Sequence, residues 1–269
     1  MDQFYTRDEI AKECHATFEK YVDVNAYDIV LEPSAGKGAF FKLLPVEKRI
    51  GLDLDPKWND IACIDFFDFR PESGKRYAVI GNPPFGKVSS TAVKFFNKAA
   101  EFADVIAFIL PRTFKRVSIQ NKLNHHFHIV SNTDLPLTPC CFEPIMSAKC
   151  SFQIWKRQDV PRNPLIYNKA HNDFSFVKWG ECDDRGQPTP PTSADFALKA
   201  YGGACGEVRK EQLQHLRPKS WHWIKANIDE SLLISRFKNI DYSMSKDTVR
   251  QDSIGQKEVI FLYEQKYGI

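Results

Sequence analysis

Apolar and polar positions along the chain follow two patterns, and the change between them falls near residue 156. Through residues 27–155, short apolar runs alternate with segments of helical spacing. The runs are nearly continuous, which is typical of parallel strands covered on both faces. Strands are predicted at 28–32, 49–54, 61–64, 77–81, 105–110, 127–132 and 150–155. The alternation predicts an α/β fold with a doubly wound sheet and right-handed crossovers.

The clearest helical segment spans residues 89–103. Its apolar side chains, among them Phe95 and Phe96, recur three and four positions apart, so they share one face of a helix. Ser89 or Ser90 is the predicted N-cap. We expect the apolar face of this helix to pack against the sheet.

Residues 156–269 follow a different pattern, in which clusters of prolines and glycines separate short segments with strand-like or helical spacing of apolar residues. Strands are predicted at 174–179, 195–201 and 221–226, and helices at 230–238 and 256–266. This order favours a small α+β unit. The predicted domains are therefore 1–157 and 158–269.

Composition narrows the class of protein. The 269 residues are 43% hydrophobic and 26% charged, as in globular proteins, which excludes a disordered or fibrous chain. The apolar runs are about six residues long, far short of the roughly 20 that a bilayer requires. Seven irregularly spaced cysteines predict neither a disulfide framework nor a metal site. We expect a cytoplasmic protein with no membrane segment and no metal, and the sequence leaves its oligomeric state open.

The net charge of +3 is small, but its distribution is uneven. Residues 156–269 carry the whole excess, and no acidic residue lies between Asp104 and Asp134. A field of one sign suits contacts with phosphate groups, so this stretch is a candidate nucleic-acid-binding segment. Its candidate side chains are Arg112, Lys115, Arg116 and Lys122. The alternative interpretation is a solvated loop face.

Polar and small residues follow successive predicted strands. The segment 32–38, Glu-Pro-Ser-Ala-Gly-Lys-Gly, comes directly after the first strand. Asp53 ends the second strand about 20 positions later, where a carboxylate can accept hydrogen bonds from two ribose hydroxyls. Asp65 ends the third strand, where it either accepts from an adenine amino group, with Phe66 against the ring, or caps a turn.

The segment Asn82-Pro83-Pro84-Phe85 ends the fourth strand. Consecutive prolines make a stiff turn and leave carbonyl groups without local N–H competitors. Asn82 adds a side-chain oxygen, and Phe85 adds a flat apolar face. Together they can hold a planar aromatic amine by two N–H acceptors and one stacking ring.

These motifs in this order resemble the S-adenosylmethionine-dependent adenine-N6 methyltransferases of the gamma class, over residues 4–155. The resemblance implies a Rossmann-like class I methyltransferase sheet of seven strands, one of them reversed. It also implies S-adenosylmethionine as cofactor, DNA as partner, and Asn82, Pro83, Pro84 and Phe85 as the catalytic residues.

Cofactor contacts are carried over from the family to matching positions. Tyr5 and Thr6 open a helix and would contact the methionine part of the cofactor. The full implied set is Tyr5, Thr6, Glu32, Pro33, Ala35, Gly36, Asp53, Leu54, Asp65, Phe66 and Asn82. The segment after residue 157 is short for a DNA target-recognition domain, although Trp221, Trp223 and Lys225 are candidates for base selectivity if the tryptophans are not core residues.

Several functions share this motif set. An adenine-N6 DNA methyltransferase is the first prediction, and an enzyme that acts on adenine in RNA is the second. Protein-glutamine methyltransferases use a similar tetrad, because an amide nitrogen has the same delocalised lone pair. A nucleic-acid-binding module without catalysis is the alternative from another class.

Overall fold

The computed structural model describes residues 4–268, and the chain divides into two compact units between Leu165 and Ile166. The sequence predicted this boundary eight residues earlier. Residues 158–165 join the first unit because Arg162 donates hydrogen bonds to the carbonyls of Gln120 and Phe127, at 3.1 and 2.7 Å.

The first unit is built on a sheet of seven strands. From residue 4 onwards, the strands of this unit in chain order are β1 (Tyr5–Thr6), β2 (Ile29–Glu32), β3 (Arg49–Asp53), β4 (Ile61–Cys63), β5 (Tyr77–Gly81), β6 (Ala103–Pro111), β7 (Phe127–Asp134), β8 (Phe142–Glu143) and β9 (Cys150–Arg157). The large sheet has the order β4-β3-β2-β5-β6-β9-β7, and β9 runs antiparallel to both of its neighbours. This confirms the predicted α/β class, the seven strands and the single reversed strand. β1 and β8 form a separate antiparallel pair.

The helices in the described part of this unit are α1 (Asp8–Tyr21), α2 (Ser90–Ala99) and α3 (Val117–Gln120). α2 buries Phe95 and Phe96 against sheet residues such as Val79 and Ile106, as the spacing predicted. α1 contacts β9. Between β2 and β5 the connections contain only short 3₁₀ turns, so these crossovers carry less helix than the alternation predicted.

The second unit is an α+β structure, as predicted. Its elements are β10 (Phe174–Val177), β11 (Phe196–Lys199), β12 (Val208–Arg209), β13 (Trp221–Ala226), α4 (Glu230–Lys238) and α5 (Gln256–Tyr267). The antiparallel sheet has the order β10-β13-β11-β12. One face packs on α4 and α5 through residues such as Phe196 and Phe237.

The other face of this sheet buries Trp221 and Trp223, which are 5% and 1% exposed. The indole N–H of Trp223 donates to the carbonyl of Pro218 at 3.1 Å. Both tryptophans are therefore core residues, which is the alternative to base selectivity that the sequence left open. Across residues 4–268, no helix is both long enough and apolar enough to span a bilayer.

Candidate active site

The ends of β2, β3, β4 and β5 carry the chemical groups that the sequence singled out. Parallel strands place their carboxyl ends at one edge of a sheet, and the chain order reverses here between β2 and β5. A pocket open to solvent, of about 270 Å³, lies at this edge. It is lined by Phe4, Tyr5, Thr6, Glu32, Ser34, Ala35, Lys37, Ala39 and Asn82. The structure thus brings the first strand, the loop after β2 and the end of β5 together.

β1 forms one wall of this pocket. Tyr5 and Thr6 lie opposite Glu143 and Phe142 of β8 in an antiparallel register. The Tyr5 ring covers Gly36, because a Cβ atom at position 36 would lie 2.7 Å from the ring. Gly36 also has a φ of +49°, a backbone conformation that disfavours any other residue. A side chain at position 36 is therefore excluded both by the Tyr5 ring and by the backbone conformation. The hydroxyl of Thr6 is buried and has no hydrogen-bond partner.

Asp53 is held rigidly at the end of β3. Its Oδ2 accepts a 2.7 Å hydrogen bond from the Gly36 N–H, and its Oδ1 accepts from the Asp55 N–H at 2.8 Å. The carboxylate is therefore tied to the loop after β2, with acceptor capacity left on both oxygens. Leu54 is 70% exposed beside it, and Asp55 pairs instead with Lys57 at 2.5 Å.

Glu32 is the buried carboxyl group of the pocket. Its side chain is 2% exposed, and Oε2 accepts a 2.6 Å hydrogen bond from the Phe41 N–H. Burial raises the pKa of Glu32 well above the usual 4.5, and the neighbouring Asp53 charge acts in the same direction. Hydrogen bonds from the Phe41 and Phe40 amides and the charge of Lys42 oppose these effects. Proton uptake by Glu32 is therefore coupled to the charge inside the pocket.

The region after β4 corrects one residue of the predicted set. Asp65 caps the 3₁₀ turn Phe66–Asp68, accepting from the Phe67 N–H at 2.9 Å. Phe66 is 2% exposed and packs against Phe95 and other core rings, which leaves neither face of its ring open for stacking. Phe67 is 38% exposed and presents the aromatic surface at this strand end. Two adjacent phenylalanines after a strand indicate that one ring packs into the core and the other faces solvent.

Asn82 provides the strongest chemical feature of the pocket. Its Oδ1 is buried and has no hydrogen-bond partner, whereas its amide nitrogen approaches the carbonyl of Phe4 at 3.5 Å. A buried oxygen left without a donor costs free energy, about 1–3 kcal/mol, so its presence points to a donor that arrives with a ligand. Pro83 is buried and Pro84 is exposed. The Phe85 ring meets the edge of Phe142 at a centroid distance of 6.3 Å.

A tight loop follows Phe85 and leads into α2. Gly86, Val88 and Ser89 have φ values of 68°, 52° and 60°, in the left-handed region. The Val88 side chain is 79% exposed. Ser89 stands at the N-cap position of α2 as predicted, but its hydroxyl makes no cap bond and lies 2.9 Å from the Thr113 hydroxyl.

The predicted basic segment is less free than its sequence indicated. Arg112 and Lys115 both pair with Asp134, at 3.4 and 2.5 Å, and their side chains are only 17% and 20% exposed. The positive charge of this segment is therefore partly offset by Asp134, at the far end of β7. Arg112 and Lys115 are both engaged in ion pairs with it. Arg116 is half-buried and Lys122 is exposed. Among residues 4–268, no cluster of three or more histidine, cysteine or acidic side chains is placed to hold a metal ion.

This chain is similar to known proteins in structure, but no similarity in sequence was found by comparison with family models or curated proteins. The 23S rRNA methyltransferase ErmE superposes with a TM-score of 0.41 and 16% identity, over 58% of this chain and 71% of that one. A dimethyladenosine transferase from Plasmodium falciparum gives 0.40 and 17%, over 58% and 64%. Thermoplasma acidophilum 1320 gives 0.41 and 15%, over 58% and 89%. Similarity at this level carries no inference about function, which has to be argued from the pocket.

Proposed function

We propose that this protein transfers a methyl group from S-adenosylmethionine to the exocyclic N6 amine of adenine in DNA. One observation carries the proposal: the buried, unpartnered Oδ1 of Asn82 stands beside the loop that follows β2. An amide oxygen in that state is a preformed acceptor for an amine N–H. The motif order around it supports adenine as the amine.

The residues of the pocket suit the cofactor. Asp53 has acceptor capacity for ribose hydroxyls, since each of its oxygens takes only one backbone N–H. The unpartnered hydroxyl of Thr6 and the bare backbone of Gly36 suit close approach by the methionine moiety. A cationic ligand in the pocket would favour the ionised form of the buried Glu32 carboxyl, whose pKa is raised by burial. Phe67, rather than Phe66, offers an exposed ring for the adenine part.

Asn82 and Pro83 perform the positioning that the reaction needs. An exocyclic aromatic amine is a poor nucleophile because its lone pair is delocalised into the ring. Acceptance of its two N–H bonds by Asn82 Oδ1 and the Pro83 carbonyl favours a pyramidal nitrogen, whose lone pair is then available. Phe85 stacks on the target base after it leaves the helix.

When bound, S-adenosylmethionine supplies an electrophilic methyl carbon on a sulfonium. The amine held by Asn82 and Pro83 would accept that methyl group, the thioether would be the leaving group, and one amine proton would pass to water. Rate enhancement comes from orientation and from charge stabilisation by the two acceptors, with no general base required.

The test is incubation with cofactor labelled in its methyl group and a panel of duplex DNA, single-stranded DNA and RNA, followed by nucleoside analysis. We expect N6-methyladenine in DNA from the wild-type protein and none from Asn82→Ala. A matched control is Asn25→Ala, an exposed amide outside the pocket. Label in RNA alone, or in protein glutamine, would replace DNA as the substrate, and cofactor binding without label in any polymer would contradict methyl transfer.

A further inference from the structure

The loop between the Asn82 motif and α2 presents an isolated apolar side chain. Val88 is 79% exposed and has φ 52° and ψ 39°. A β-branched residue is disfavoured in this left-handed region, where asparagine or glycine fits without a clash. Single exposed apolar residues are ordinary on protein surfaces. One held in a disfavoured conformation beside a candidate catalytic motif needs a different reason.

Both ends of this loop are fixed. The Phe85 carbonyl accepts the N–H groups of Thr91 and Ala92, at 3.2 and 3.3 Å. Gly86 lies so close to Thr91 that a Cβ atom would clash with its hydroxyl. At the other end, the buried Ser89 hydroxyl is 2.9 Å from that of Thr113. The loop is therefore anchored on both sides of Val88, whose side chain is exposed to solvent.

Adenine paired in a duplex cannot reach Asn82, so an enzyme that methylates it has to extrude the base and leave a gap in the stack. Proteins that deform nucleic acids commonly insert an apolar side chain between base steps. Val88 stands three residues after Phe85, the ring proposed to stack on the extruded base. Exposed Lys87 is its neighbour and carries a charge suited to a backbone phosphate.

We infer that Val88 is a wedge that enters the DNA duplex and occupies the space vacated by the target adenine. This inference rests on the proposed function. The wedge is a positioning residue, because it acts on the neighbouring stack and touches neither the amine nor the cofactor. Its contribution exists only where a base has to be withdrawn from a double helix, so single-stranded DNA should not depend on it.

The test compares native with heat-denatured genomic DNA that lacks N6-methyladenine, using the whole 269-residue chain. Val88→Asn removes the apolar wedge and keeps a residue that tolerates the left-handed backbone, so the loop should stay folded. Val88→Leu keeps an apolar side chain. Val46→Ala is the matched control, since Val46 is 72% exposed but precedes β3, at the opposite edge of the sheet from Asn82.

We expect Val88→Asn to lower methylation of native DNA by about tenfold or more and to change the rate on denatured DNA by less than about twofold. Val88→Leu should keep most of the native rate, and Val46→Ala should match wild type on both. Equal effects of Val88→Asn on the two DNA forms, or none on either, would overturn the wedge. A wild-type protein that methylates only denatured DNA would also overturn it while leaving methyl transfer intact, and a wild-type protein that methylates no polymer would instead contradict the proposed function.

Discussion

The Ser34 hydroxyl donates a 3.0 Å hydrogen bond to the backbone carbonyl of Asn82. This bond joins the loop after β2, which borders the cofactor side of the pocket, to the residue proposed to hold the target amine. Ser34 is half-buried and lines the same pocket. The bond from Ser34 fixes the orientation of the peptide group that connects Asn82 to Pro83. The two proposed acceptors, Asn82 Oδ1 and the Pro83 carbonyl, flank that peptide group.

Ser34→Ala should therefore reduce turnover more than cofactor affinity. Loss of one such hydrogen bond is worth about 0.5–1.5 kcal/mol, which corresponds to a decrease of roughly two- to thirteenfold in kcat. Ser34→Thr retains the hydroxyl and should recover most of that loss. Steady-state kcat and KM for both substrates check this, and a change confined to the cofactor KM would assign Ser34 to binding instead.

Asp53→Ala should weaken cofactor binding by at least about tenfold, because two charged hydrogen bonds worth about 1.5–3 kcal/mol each are lost before compensation. Calorimetric titration with S-adenosylmethionine measures the effect. Asp55→Ala is the control, since this adjacent carboxylate is exposed and pairs with Lys57. Asp53 also holds the Gly36 amide, so the thermal unfolding midpoint has to be followed alongside. Unchanged affinity in a folded Asp53→Ala protein would rule out the assignment.

Glu32→Gln should stabilise the ligand-free protein as pH rises. The pKa of Glu32 is raised in the folded state, mainly by burial, so the folded protein retains a proton that the unfolded chain has released. Wild-type stability from this group is fully present below pH 4.5, the ordinary value, and is lost as pH rises through the folded pKa. Urea unfolding at a series of pH values should show that the free energy of unfolding of Glu32→Gln rises relative to that of wild type as pH increases through that range. Parallel wild-type and Glu32→Gln profiles would contradict the prediction.

Lys122→Ala should flatten the dependence of DNA affinity on salt, by about 0.9 in the log–log slope if Lys122 contacts one phosphate. Arg112→Ala should leave the slope unchanged, because Arg112 already pairs with Asp134 and reaches the carbonyl of Leu135. It should instead lower the free energy of unfolding by about 1.5–3 kcal/mol. Binding titrations at several salt concentrations separate the two. If Arg112→Ala flattened the salt dependence of DNA affinity and Lys122→Ala left it unchanged, Arg112 rather than Lys122 would be the residue that contacts phosphate.

The strands of the first unit were predictable because their apolar runs are continuous and bounded by polar turns. Predicted strand 77–81 has the same bounds as β5, and 49–54 differs from β3 by one residue. α2 ends at Ala99, earlier than predicted, because β6 begins at Ala103 and the chain needs a turn between them. The positions of Asp53 and Asn82 at strand ends followed from the same pattern.

Contacts between residues distant in sequence were not predictable. Asp134, at the far end of β7, pairs with both Arg112 and Lys115, which no local charge pattern reveals. Two adjacent phenylalanines gave no means of deciding which ring faces the core, and Phe66 rather than Phe67 is the buried one. The bond from Ser34 to Asn82 spans 48 positions and depends on β2 lying next to β5.

The pairing of β1 with β8 sets the order in which this unit can be completed during translation. Thr6 lies opposite Phe142, although nearly the whole unit separates them along the chain. At roughly 5–20 residues per second, about 7–30 s pass between the synthesis of these two residues. Closure of so long a loop comes late, because its entropy has to be offset by contacts that do not yet exist. A chain whose synthesis stops before residue 142 carries every motif residue and lacks the β8 strand that holds the first wall of the pocket in place.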